Sequence, residues 1–241
     1  MRRALLSLLL ASSAGAAAPS SSLDAALAAR VRGGLVDYAG LKKDPAGLDA
    51  WLAAAAKTDA GEFALRSRDE RLAFLINLYN AATLRLILDH YPVDSIRKIG
   101  PAWDRSRAWK LPVVKVFGRA VTLDALEHEM IRPVFGEPRV HFALVCAAKG
   151  CPPLRSEAYD GARLNDQLDD QARAFLAQKS KNDAGRAGGP VRLSPIFKWY
   201  MEDFGGSKAS VLRFVSKWLP VEDGRAVAWS DYDWSLNEDK R

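Results

Sequence analysis

The sequence predicts one helix-rich α+β domain carrying a small β-sheet or hairpin. Three observations predict it. An apolar helical pattern runs from Ser67 to His90 without a Pro or Gly. Two short β-prone runs flank Phe117-Gly118-Arg119. Helical patterns stand on both sides of that pair, with no internal repeat and no linker to divide the chain.

Taken in order, residues 19–22 are a short flexible lead-in and residues 23–31 read as a helix. Asp44-Pro45 opens a second helix reaching Ala56, with Pro in the first turn, where its missing N–H is not needed. The central helix follows. Ser67 and Glu70 have the spacing of a capping box, and Tyr91-Pro92 ends the pattern. Residues 111–116 and 120–122 form the hairpin, and Thr122 caps a helix that Pro133 closes. Residues 139–146 are the best remaining strand. Helices are expected over 162–178, 194–204 and 208–218, with a strand at 226–229. The polar loop 179–190 is read as exposed and mobile.

The ends and composition bound the rest. Arg2-Arg3, the apolar run 5–10 and Ala16-Ala17-Ala18 have the order of a secretory signal peptide. Two arginines alone are not a twin-arginine signal, and no Cys stands near the cleavage point to take a lipid. A periplasmic or secreted protein is therefore expected. Losing Arg2 and Arg3 takes the formal net charge from +6 to +4, too weak to argue for nucleic acid. The longest charge-free run after the signal, residues 72–84, contains Asn77 and Asn80. It is short of the roughly 20 apolar residues of a span, so no transmembrane anchor is expected after cleavage. Apolar residues make up 49% of the chain, with seven Trp, enough for a full core.

Four blocks carry a family likeness: Phe74-Leu75-Ile76-Asn77-Leu78-Tyr79-Asn80-Ala81, Leu126-Glu127-His128 to Arg132-Pro133, His141-Phe142-Ala143-Leu144-Val145-Cys146 to Gly150-Cys151-Pro152-Pro153-Leu154, and Tyr232-Asp233-Trp234-Ser235-Leu236-Asn237. Val36-Asp37-Tyr38 and Ile196-Phe197-Lys198-Trp199-Tyr200 add to it. With these in order the chain resembles the family called domain of unknown function 547. It then divides into a signal peptide (1–18), a lead-in with the first helix (19–35), the family-like domain (36–237) and a tail (238–241). Members of that family include exported bacterial proteins. Some eukaryotic members join the domain to a glutaredoxin-like module, which implies thiol or thiol-peptide chemistry and a peptide-like or thiol-containing ligand. Val145 stands where many members carry a polar residue such as Asn, so no role is carried over to that position.

Both cysteines, Cys146 and Cys151, fall in the third block. Two uses compete. In an oxidising compartment a disulfide is the plain one. Five extended residues span roughly 16 Å, and a disulfide needs Cα atoms within about 7 Å. The chain must therefore fold back, and Lys149-Gly150 can supply the turn. So small a loop contributes only about 2 kcal/mol.

The other use makes Cys146 a nucleophile, which needs a base and a group to orient it. His128 and His141 are the candidate bases; His90 ends the central helix. Strand parity puts His141 and Cys146 on opposite faces, and a helix separates them by about 140°. His128 comes from a separate helix, so packing can bring it to the sulfur. Glu127 points about 100° away from His128 on that helix and is a candidate substrate contact. Asn77 and Asn80, at i and i+3, share one face of an apolar helix. Each must be hydrogen-bonded, either within the fold or as the polar floor of a pocket.

A Cys2His2 metal site is disfavoured, because zinc ligands usually pair within about two to four residues. No cofactor is expected. Two functions remain open: a thiol-dependent hydrolase or acyl transferase acting on an amide or thioester, or a non-catalytic binding domain stapled by a Cys146–Cys151 disulfide.

Overall fold

The computed structural model describes residues 20–240. The signal-peptide reading of residues 1–18 lies outside them. Helix α1 (Ser20–Arg30) absorbs most of the expected lead-in and runs into a short antiparallel pair, β1 (Val31–Arg32) and β2 (Leu35–Val36), with Val31 opposite Val36. Helices α2 (Tyr38–Lys43) and α3 (Ala46–Ala55) follow, α2 capped by Asp37, whose carboxylate accepts from the Gly40 amide at 2.7 Å. Helix α4 (Ala60–Leu65) was not foreseen. It buries no side chain, so it leaves no hydrophobic period in the sequence; Asp59 starts it by accepting from the Gly61 and Glu62 amides.

Helix α5 (Arg68–His90) is the axis of the fold. Both halves of its capping box form: Ser67 Oγ accepts from the Glu70 amide at 3.2 Å, and Glu70 accepts from the Ser67 amide at 2.8 Å. Its middle is buried on every face, because α2, α3 and α9 (Leu164–Leu176) pack around it. By length and composition α5 is long and apolar enough to cross a membrane, contrary to the reading of residues 72–84 alone, but it lies inside the fold.

Strands β3 (Pro112–Val116) and β4 (Arg119–Thr122) pair as expected, Val116 opposite Arg119. Phe117 and Gly118 both take positive φ, 51° and 73°, which matches the twist of a two-residue hairpin turn. Packing holds Phe117 in that conformation, its ring 4.8 Å from that of Phe63. Thr122 caps α6 (Leu123–Ala125), and the chain then widens into a π-helical turn, Leu126–Ile131. Pro133 does not close the helix. It sits in the first turn of α7 (Arg132–Phe135), where no N–H is required of it, and left-handed Gly136 ends the run.

The expected strand at 139–146 is corrected as well. Val140–Ala143 form one helical turn, α8, and the chain extends only from Leu144. The β-prone residues there are buried whatever their backbone, so propensity did not decide. Strand β5 (Val191–Leu193), which was not anticipated, pairs in parallel with β6 (Val227–Trp229). Helix α10 (Ile196–Trp199) stops at Tyr200 and continues only as a 3-10 turn, Met201–Phe204. Helix α11 (Lys208–Val215) completes the set. The loop 179–190 is not wholly exposed. Asn182 is buried, donating to Phe175 O at 2.9 Å and accepting from the Ser194 amide at 3.1 Å.

Two apolar clusters result, one around α5 and one around Phe142, Phe175 and Phe197. The amides of α5 tie the chain between them. Asn77 donates to Tyr159 O and accepts from the Tyr159 amide, both at 2.8 Å. Asn80 donates to Ala143 O and accepts from the Val145 amide, both at 2.9 Å. Each side chain thus replaces a strand partner that the sheets do not supply.

Replacing Asn80 with Leu leaves the Val145 amide and the Ala143 carbonyl unpaired. The expected loss is about 2–4 kcal/mol of unfolding free energy, read from a urea melt. An unchanged midpoint would show that the amide carries no load.

Candidate functional site

A cavity of about 540 Å³ opens where the two clusters meet. It is reached by α5 through Tyr79, by the π-helical turn through Glu127 and His128, by α8 through His141, and by both cysteines. Tyr200, Tyr232 and Trp234 close it from the C-terminal half.

Cys146 and Cys151 are joined as a disulfide, their Cα atoms 6.4 Å apart. The chain folds back as required, but by another device than the one expected. The positive φ falls on Ala147, at 58°. Gly150 serves instead as a clearance, since a Cβ there would stand 2.9 Å from the Tyr232 ring. The tail pins the loop from outside: Lys149 N donates to Ser235 O and Gly150 N to Asp233 O, each at 2.8 Å. The Tyr232 hydroxyl lies 3.3 Å from the Cys146 sulfur and 3.1 Å from that of Cys151, and the Cys146 amide donates to the Cys151 sulfur at 3.1 Å. Cys151 is buried and Cys146 half-buried.

The histidines have other partners. His141 Nε2 meets Asp203 at 2.6 Å; a carboxylate only accepts, so the proton sits on Nε2. The ring stacks on Tyr200 with centroids 3.9 Å apart, and its side chain is 1% exposed. Burial lowers its pKa to about 4, outweighing the hydrogen bond to Asp203 that raises it. His128 is exposed and its Nδ1 accepts from Arg132 at 2.8 Å, which assigns its ring proton to Nε2. Arg132 also grips Asp203 bidentately, at 2.7 and 3.0 Å. Burial pushes Asp203 up, but the bonds from Arg132 and His141 bring its carboxyl below the usual range. Glu127 is nearly enclosed. Burial raises its pKa against the opposing hydrogen bond from Tyr200.

The six residues named from sequence therefore separate. Glu127, His128, His141 and Cys146 share the cavity wall. Asn77 and Asn80 do not line it; both ends of each amide are spent on backbone groups. Sequence reasoning missed Arg132 and Asp203, which hold the histidines, and Tyr200 and Tyr232, which face Glu127 and the sulfurs. Arg132 and both tyrosines stand in blocks already singled out, though without a role. Nothing marks Asp203 in the sequence.

The fold and this cavity define a helix-rich α+β pocket domain walled by a disulfide. The family model described as protein of unknown function, DUF547, matches residues 63–176, and this segment belongs to that family. The match takes in α5, the hairpin, the π-helical turn, both cysteines and α9, and ends before Tyr200, Asp203 and Tyr232. No curated protein and no solved structure matches the chain.

His141 makes stability pH-dependent. The unfolded ring takes a proton near pH 6.5 and the folded one only near pH 4, so the unfolded state binds more protons between those values. Stability should be full above pH 6.5 and fall by ~3 kcal/mol as pH drops to about 4. His141→Gln should flatten that limb of a pH-dependent melt. An equal acid limb in the variant would assign it to other groups.

Proposed function

We propose that this is an exported, ligand-binding domain in which the Cys146–Cys151 disulfide braces the Pro152-Pro153 side of the cavity wall. One observation carries the reading: the sulfurs are bonded to each other, while His128 is engaged by Arg132 and His141 by Asp203. A thiol nucleophile needs a base with a free lone pair. On His128 that lone pair accepts from Arg132. On His141 Nε2 holds its proton against Asp203, and the buried ring is stacked on Tyr200. What the cavity offers is shape, aromatic surface and a few oriented polar groups, the usual make-up of a small-molecule or peptide site. Export agrees with keeping the pair oxidised.

A second reading, a thiol-dependent hydrolase or acyl transferase with Cys146 as nucleophile, draws support from Glu127. Its carboxyl shares the cavity with the half-buried sulfur, and its raised pKa suits proton transfer. In the reduced protein Glu127 would replace a histidine as the base.

One preparation separates the readings. Protein recovered from the exported fraction without reductant should begin near Pro19. Its intact mass should lack the hydrogens lost in one disulfide, and iodoacetamide should not add. Reduction should cost about 2 kcal/mol of stability, and the reduced thiols should alkylate at ordinary rates. Free thiols in the unreduced protein, or a reduced Cys146 that alkylates far faster than Cys151 and slows in Glu127→Gln, would favour the hydrolase instead.

A further inference from the structure

Two arginines on the cavity lining, Arg97 and Arg105, form no salt bridge among the described residues. The contrast with Arg132, Arg139 and Arg155 is direct, since each of those is paired with at least one carboxylate. Carboxylates near Arg97 and Arg105 in sequence are already engaged: Asp94 pairs with Lys98 at 2.6 Å, and Asp104 accepts from the Ser106 amide and hydroxyl at 3.1 and 2.7 Å. Arg97 sits over the Trp234 ring, its guanidinium carbon 4.7 Å from the centroid. A cation–π contact uses the face of a guanidinium and leaves its N–H groups available to an anion.

Behind them stands a continuous aromatic wall. Trp109 and Trp199 lie 6.1 and 5.8 Å from Trp234, and Tyr232 lies 4.8 Å from Trp199 and 4.6 Å from Trp234. Trp199 remains 48% exposed, so its indole is accessible to a ligand. Asp124 and Glu127 supply acceptors on the same lining.

We infer that the cavity binds an acidic oligosaccharide, a chain of sugar rings bearing carboxylates. The proposal rests on the ligand-binding reading and names its ligand class. A sugar ring is rigid, presents a flat face of C–H bonds to an indole, and keeps its hydroxyls at the edge for Asp124 and Glu127. Its carboxylate meets the two guanidiniums. A short peptide would reach the same arginines through its terminal carboxylate, but it offers four aromatic rings no rigid face to cover.

Tryptophan fluorescence reads binding directly, because three of the wall residues are Trp. The full chain would be titrated with trigalacturonate, uncharged maltotriose and triglycine. Trigalacturonate should give a saturable change and bind at least about tenfold more tightly than the other two, a preference that shrinks with added salt. Arg97→Gln and Arg105→Gln should each weaken it about tenfold, with circular dichroism unchanged; Arg105 is exposed, so its removal leaves the fold alone. Trp199→Ala should weaken both saccharides. No binding of trigalacturonate, equal binding of maltotriose, tighter binding of triglycine, or indifference to both arginine variants would each overturn the inference. None of those results bears on the oxidation state of the cysteines, so the ligand-binding reading would still stand or fall on the sulfur measurements alone.

Discussion

Asn80 carries one donor and one acceptor into an apolar core, and the backbone at Ala143 and Val145 has to meet both. A buried amide left unpaired costs more than most single contacts contribute, so the helix and the segment beside it cannot shift independently. Cys146 is the next residue, so the same bonds hold the backbone that leads to it. Asn77 does the same for the chain at Tyr159. The sheets in this fold are small, and these amides do what strand neighbours do elsewhere: they give extended backbone a partner.

The clamp explains why the cavity is polar on one side and aromatic on the other. With 143–146 fixed against α5, the α8 turn presents His141 to the second cluster, where Asp203 and Arg132 complete a chain of hydrogen bonds reaching His128. Tyr200 lies between that chain and Glu127, stacked on one and bonded to the other. The C-terminal tail closes the opposite side, with Tyr232 filling the space that Gly150 leaves. The match to the DUF547 family model stops at residue 176, so Ile196, Trp199, Tyr200, Tyr232 and Trp234 reach the cavity from chain beyond it.

Much of the fold was legible in the sequence, for identifiable reasons. The capping box at Ser67 and Glu70, the hairpin at Phe117-Gly118 and the cap at Thr122 are local chemistry, and local chemistry is written in a few adjacent residues. The α8 turn, the β5–β6 pairing and the break at Tyr200 depend on what packs against them, which no short window contains. The site divides the same way. Residue types flagged Cys146, His128, His141 and Glu127, and the cavity brings them together. Their partners escaped notice because Arg132 and Asp203 are ordinary surface residue types until folding joins them. The parity argument assumed one regular element from His141 to Cys146, whereas the chain changes there from a helical turn to an extended run.

The most direct test of the clamp is native-state hydrogen exchange at two backbone amides, Val145 and Tyr159, which donate to the α5 side chains. Neither lies within a helix or strand. Both should nevertheless exchange only through global unfolding, with protection equal to that of the α5 core amides. Exchange at the rate of an ordinary loop would contradict the account, because the segment leading to Cys146 would then be free of the helix that is held to place it.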